Sequence, residues 1–397
     1  MRSIEWALLA IAVATTFALG GTPALAWSSA GAAVSLVAAL AWSHKDSMGL
    51  GWFLRAPALL LVYAAIRTPW SEVPARSVYW VSLWVSYVAA ASVAYLCERR
   101  SGAVILRYGL IGLAVCEAAY GLSQYLTGHQ QIFWYVKTKY LEDATGTYLN
   151  HSHFAGLLTL AIGPTLAAAV TRKSSGGFYW LATVVLLLAV AFSRSRAGIV
   201  CALAAAVACG AYLAAVTRRR QVAAAVALLL IATAGYGAWI GLDPVAHRFL
   251  FFERPGYLNQ EGRLTIWRDT WRLVEVRPWL GWGPGTFPAV YPLVRTEPSD
   301  LRWMEAHNDY LQITSELGLV GAAILFVPWW TLIGLLFVAA WRARDAWSGA
   351  IALSLAAVLV HSAVDFHLQV PANALWLAIV TGVAAGRFLR LKKAMLD

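Results

Sequence analysis

Residues 178–216 read FYWLATVVLLLAVAFSRSRAGIVCALAAAVACGAYLAAV, two apolar runs joined by nothing more than Ser193-Arg194-Ser195-Arg196. Runs of this kind, about 17 to 25 residues at about 1.5 Å per residue, match the roughly 30 Å hydrocarbon core of a bilayer. The pattern recurs along the whole chain. Apolar runs lie near residues 4–20, 23–43, 50–66, 77–97, 103–126, 152–170, 178–193, 196–216, 221–241, 318–340, 348–366 and 371–389, which is twelve. None alternates with a period of two, so helices rather than a barrel are expected, because a backbone in lipid must satisfy its own polar groups.

Composition agrees. The chain of 397 residues is 60% hydrophobic and 13% charged, with a mean hydropathy of +0.62, whereas soluble domains carry about 25% charged residues. Twenty Trp and sixteen Tyr suit interfacial belts. Cys97, Cys116, Cys201 and Cys209 fall inside the apolar runs without CxxC spacing, so they are expected to be small core residues rather than metal ligands. Arg2, an apolar stretch and Ala24-Leu25-Ala26 also fit a signal peptide, while Pro23 makes an equally natural break between two spans.

The net charge of +11 is explained by where the cations fall, which excludes nucleic acid as the reason for it. With the N-terminus inside, the cytoplasmic turns hold Lys45, Arg99-Arg100, Arg172-Lys173, Arg218-Arg219-Arg220, Arg342 with Arg344, and the tail Arg387, Arg390, Lys392 and Lys393. That is the positive-inside pattern. The stretch 242–317 is then the one large outer loop, and loops of that length translocate largely regardless of charge.

The outer loop holds most of the chemistry. Residues 261–276, EGRLTIWRDTWRLVEV, put Leu264, Trp267, Trp271 and Val274 on one face and Arg268, Asp269 and Arg272 around the other, predicting an amphipathic helix at the interface. RPWLGWGPGTF follows, with Gly281, Gly283 and Gly285 permitting tight turns. A phosphate cradle and a rigid turn under an aromatic plug both fit, the plug better, since no P-loop lysine is present. Then Glu305, His307, Asn308 and Asp309 stand just before the tenth run. In the turn at 193–196, two arginines near mid-membrane cost about 5 to 7 kcal/mol on insertion scales unless something offsets them. Snorkelling is one solution, and a bidentate clamp on an anionic headgroup is the other. Glu142 and Asp143, the one adjacent acidic pair outside, suggest a solvated turn.

GTYLNHSHFAG at 146–156, SRSRAG at 193–198, GRLTIWRDTWRLVEVRPWLGWGPGTF at 262–287, AHNDYLQITSELGLVG at 306–321 and HSAVDFHLQVPANAL at 361–375 together resemble the O-antigen ligase and polymerase superfamily of bacterial membrane glycosyltransferases. The resemblance implies an all-α polytopic membrane protein of about 12 transmembrane helices with a GT-C-like architecture. It further implies transfer of a glycan from undecaprenyl pyrophosphate to an acceptor hydroxyl outside the inner membrane, with no nucleotide, cofactor or metal. The acceptor is lipid A core for a ligase or the growing glycan for a polymerase. His307 matches the family's essential histidine, and Arg194 or Arg196 with Arg263 match its essential arginines; Arg268, Arg272 and Asn308 are secondary candidates for substrate contact. Pyrophosphate is a good leaving group, so arginines plus one base suffice in this scheme. His151 departs from the residue relatives often carry and receives no role; Asp365, His361 and His367 are charged or polar near a span end, where a structural pair explains them as well.

The expected organisation is therefore 1–145 as N-terminal membrane helices, 146–241 as central helices, 242–317 as the periplasmic catalytic loop, and 318–397 as C-terminal helices with a basic cytoplasmic tail. A secondary transporter or lipid flippase is the rival of another class, but no repeat relates the two halves.

Overall fold

A computed structural model describes residues 1–43, 52–129, 131–240, 263–296 and 302–396. All twelve apolar runs are helical: α1 (Arg2–Phe17), α2 (Ala24–Trp42), α3 (Trp52–Arg67), α4 (Pro74–Ser101), α5 (Val104–Thr127), α6 (His151–Thr171), α7 (Gly176–Phe192), α8 (Arg196–Thr217) and α9 (Arg220–Ile240), then, after α10 (Arg263–Val276), α11 (Asp309–Ala343), α12 (Ala346–His361) and α13 (Pro371–Ala394). Seven of them (α2, α4, α5, α6, α8, α11 and α13) are long and apolar enough to cross a membrane, and the segments Gly176–Phe192, Arg220–Tyr236 and Ala346–His361 are apolar but shorter. The chain is an all-α polytopic membrane protein. A two-residue hairpin, Gln131–Ile132 with Tyr135–Val136, is the one sheet among the described residues.

α6 is the axis of the bundle. Every residue from His151 to Ala169 is buried, and the helix packs against α7, α8 and α12. Small residues make that possible, because without a hydrophobic driving force helices in lipid associate by close backbone approach. A side chain at Gly163 would collide with the Ala350 carbonyl and Ser354 of α12, and one at Gly382 with the Ala91 backbone of α4. At the basic end, Arg387 of α13 pairs with Asp345 at 2.9 Å and Glu98 at 3.5 Å, tying α13 to the starts and ends of its neighbours. Cys97, Cys201 and Cys209 are buried as expected, but Cys116 is exposed on α5. A thiol facing lipid loses little, so the apolar run did not need to bury it.

The opposite end carries a cap with its own small core of Ile266, Leu273, Trp282, Phe287, Val290, Tyr291 and Ala306. α10 belongs to this core: Ile266, Asp269, Thr270, Leu273 and Val274 are buried, while Leu264 and Trp271 of the expected interfacial face are exposed. Asp269 turns inward because it is satisfied there, by Tyr291 Oη at 3.3 Å, Thr296 N at 3.1 Å and Thr296 Oγ1 at 3.0 Å. Residues 261 and 262 of the expected helix lie outside the described residues.

The glycine turn is a clamp on α11. Gly318 breaks that helix at φ +68°. There Leu319 N donates to Pro278 O (2.8 Å) and Val320 N to Trp279 O (3.3 Å), while the carbonyls they would have used, Ser315 O and Glu316 O, accept from Trp282 N (3.0 Å) and Gly283 N (2.8 Å). The Glu316 carboxylate fills the turn itself, accepting from Gly285 N at 2.8 Å, Phe287 N at 3.3 Å and Gln312 Nε2 at 3.3 Å. Gly281, Gly283 and Gly285 all have positive φ, which a side chain resists. The rigid-plug reading of this turn is the one the structure bears out, because an internal carboxylate occupies the place a phosphate would take.

Candidate active site

His307 lies between the cap and the bundle, at φ +52°, a backbone conformation costly for a non-glycine residue. Both flanks are fixed. Ala306 N donates to Gln312 Oε1 (2.9 Å), and Asp309 N donates to the carbonyls of Ser362 (2.8 Å) and Asp365 (3.1 Å). Its own carbonyl accepts from Trp267 Nε1 at 3.3 Å. Its ring stands edge-to-face with Trp303 (centroids 5.9 Å apart) and Phe366 (4.8 Å). The half-buried ring is thus confined on two sides by aromatics.

The connection between α12 and α13 is the floor on which these groups meet. Arg263 donates from Nη1 to Val364 O at 3.1 Å, next to the Phe366 that touches His307. His153, near the start of α6, reaches Asp365 (Nε2 to Oδ1, 3.5 Å) and packs its ring on the other contact of Phe366 at 4.4 Å. His361 and His367 complete the cluster with ring centroids 4.2 Å apart, and Asn373 Nδ2 bonds His153 O (2.9 Å) and His367 Nδ1 (3.2 Å). Burial pushes the His367 imidazole well below its usual range. Among the described residues, no group of three His, Cys, Asp or Glu side chains is arranged to hold a metal ion.

The α7–α8 turn sits on the other side of the α6 N-terminus. Arg194, at φ +57°, pairs through Nη1 with Glu142 at 3.0 Å and Asp143 at 3.2 Å. The acidic pair is therefore no simple solvated turn. Glu142 is 82% exposed, but Asp143 is 4% exposed and also reaches His151 Nδ1 at 2.8 Å. One buried and one exposed carboxylate offset the cost of a guanidinium at this depth better than snorkelling alone. Arg196 opens α8 and is half-buried.

The remaining sequence candidates do not converge here. Arg268 is exposed on the outer face of α10, Arg272 is 46% exposed and pairs within its helix with Asp269 at 3.4 Å, and Asn308 caps α11 by accepting from Leu311 N at 3.0 Å. Residues 181–326 match the O-antigen ligase family, a stretch that contains Arg194, Arg196, Arg263 and His307. The match supports the O-antigen ligase superfamily for this stretch of the chain. No curated protein matches the chain. In this O-antigen ligase-like chain Asp143 and His151 received no functional role on sequence grounds and His153 was passed over; all three lie outside the matched stretch, and only the density of histidines in NHSHF signalled the two histidines.

Glu305, two residues before His307, has its carboxyl pushed up to about 7 by burial, partly opposed by the Arg76 guanidinium. The folded value exceeds the unfolded one, so the folded state binds more protons and loses stability as pH rises from about 4.5 to about 7. Glu305→Gln removes that loss. Its melting temperature should exceed wild type above pH 7, with no such advantage at pH 4.5, by a margin reflecting on the order of 1–3 kcal/mol. Parallel melting curves across this range, with the two proteins shifting together, would exclude the assignment.

Proposed function

We propose that the protein is a glycosyltransferase that moves a glycan from undecaprenyl pyrophosphate to an acceptor hydroxyl on the periplasmic side of the inner membrane, acting as an O-antigen ligase with lipid A core as acceptor. The observation that carries this is the meeting of His307 and Arg263 on one span connection, through Phe366 and the Val364 carbonyl. His307 is the base. A histidine, ordinarily titrating near pH 6.5, can take the acceptor hydroxyl's proton as the new glycosidic bond forms. Arg263, with Arg196 and Arg194, holds the pyrophosphate and stabilises the charge that grows on it. Direct attack inverts the anomeric centre. Arg268, Arg272 and Asn308 serve at most in outer contacts or structure.

Topology supports the same reading. Twelve spans with both termini cytoplasmic put the turns at Arg99-Arg100, Arg172-Lys173, Arg218-Arg219-Arg220 and Arg342 with Arg344 inside, and the α7–α8 turn and the cap (263–296 and 302–308) outside, where a lipid-linked glycan would meet them. The reading takes with it the GT-C-like grouping that the family resemblance implies and a division into N-terminal helices (1–145), central helices (146–241), catalytic loop (242–317) and C-terminal helices (318–397).

The test supplies purified protein with an undecaprenyl-pyrophosphate-linked glycan and either lipid A core or a second donor molecule, without added metal. Transfer to lipid A core, with donor affinity at least tenfold weaker in Arg263→Ala, is the expected result. Ladder growth on the lipid-linked glycan would make the enzyme a polymerase of the same superfamily. No transfer to either acceptor, with donor binding unaltered in Arg263→Ala, would bring a transporter or flippase forward.

A further inference from the structure

His151, the first residue of α6, is held by one of its two ring nitrogens. Its Nδ1 lies 2.6 Å from Ser193 O and 2.8 Å from Asp143 Oδ2. A peptide carbonyl can only accept, so Nδ1 carries a proton in every state of the ring. Nε2 is then a lone pair in the neutral ring and an N–H in the cation. It bonds to no described residue, and a tenth of the side chain's surface is open. Tyr140 stacks on the ring at 4.3 Å and 26°, fixing its plane. Asp143 is itself anchored, its backbone carbonyl accepting from Lys137 Nζ at 3.0 Å.

The other oxygen of Asp143 belongs to Arg194, at 3.2 Å, and Arg194 also holds Glu142. A guanidinium placed to receive the donor's diphosphate and an imidazole with a fixed tautomer thus share one buried carboxylate. Two carboxylates on Arg194 cancel much of the positive charge it would bring to a leaving diphosphate. A proton donor beside it supplies what that cancellation removes.

We propose that His151 is the acid of the site, protonating from Nε2 the diphosphate oxygen that leaves the sugar, with Asp143 as the positioning residue that fixes its ring. The proposal rests on the donor reading above. In the step, the bond between the anomeric carbon and the diphosphate oxygen breaks and its electron pair stays on that oxygen, which takes the Nε2 proton. The acceptor oxygen forms the new bond to the anomeric carbon and passes its proton to His307. His151 ends neutral and His307 ends protonated, and exchange with water restores both. Asp143, Glu142, Lys137, Arg194 and Tyr140 are the charged or titratable groups gathered around the ring and its carboxylate.

The test follows kcat against pH for the full chain in lipid nanodiscs, with an undecaprenyl-diphosphate-linked glycan and its acceptor. A step that needs one unprotonated base and one protonated acid should make wild-type kcat rise on the acid side and fall on the alkaline side. His151→Asn keeps an N–H where Nδ1 stands, facing Ser193 O and Asp143, but has nothing to donate where Nε2 stands. A merely structural histidine is therefore rescued by Asn and an acid is not. The expected result is a kcat reduced about 10²-fold or more, KM little changed, and the alkaline fall gone. An Asn variant with wild-type kcat and an unaltered profile overturns the acid and leaves the glycosyltransferase reading standing. Wild type that consumes no donor sinks that reading, and the acid with it. Should His151→Asn lose its melting transition, the wild-type profile decides alone: no alkaline fall overturns the proposal.

Discussion

His307→Gln should lower single-turnover transfer by about 10² to 10⁴ while leaving donor binding near wild type. Glutamine keeps the length of the side chain and a hydrogen-bonding end, but it cannot accept a proton near neutral pH. The arginines that hold the donor are untouched, so the loss falls on the chemical step. The backbone offers a second form of the experiment. His307 sits at φ +52°, which glycine adopts without strain, so His307→Gly should fold and leave a hole beside Trp303 and Phe366. Added imidazole should then recover part of the lost rate. A glutamine variant within threefold of wild type, or a glycine variant indifferent to imidazole, would move the base elsewhere.

How much of this was legible beforehand depended on whether the signal was local. The apolar runs are all helical because a segment of that length in lipid has one way to satisfy its backbone. His307 was legible because it stands among polar residues directly before a span, in a stretch similar to a known family. In α10 the apolar face was legible, with Leu264 and Trp271 exposed as an interfacial helix has them, but the buried place of Asp269 was not. Hydrophobic spacing set Asp269 on the polar face, and nothing in the helix itself reveals that Tyr291 and Thr296, more than twenty residues on, would satisfy that carboxylate.

The same limit hid the acidic and histidine partners. Asp143 follows an exposed glutamate and looks solvated, yet it is buried by Arg194, some fifty residues away, and by His151. His153 and Asp365 are more than two hundred residues apart and meet only because α6 and the α12–α13 connection pack together. Charge pairs of that separation leave no periodicity. What the sequence did carry was their cost: two arginines between apolar runs demanded compensation, and for Arg194 Glu142 and Asp143 supply it.

Glu316→Leu should cost more stability than any other single change at the cap. The carboxylate accepts from Gly285 N, Phe287 N and Gln312 Nε2, all buried, and leucine leaves the three donors without a partner. Each unsatisfied buried donor costs about 1 to 3 kcal/mol, so the sum is on the order of 3 kcal/mol even after partial relaxation. The damage does not stop at the turn. Gly283 and Trp282 are also bonded to the α11 carbonyls at Glu316 and Ser315, and Trp282 and Phe287 belong to the core that seats α10. Loosening that core loosens Trp267, whose indole holds the His307 carbonyl. The variant should therefore melt several degrees below wild type in detergent, be cut faster by protease within 277–296, and lose transfer activity together with its cap. Glu316→Gln keeps one accepting oxygen but turns an amide N–H₂ toward donors, so it should fall between the two. A leucine variant that melts with wild type and resists protease equally would mean that the glycine turn holds its shape without the carboxylate, and that α11 and the cap are joined by their backbone hydrogen bonds alone.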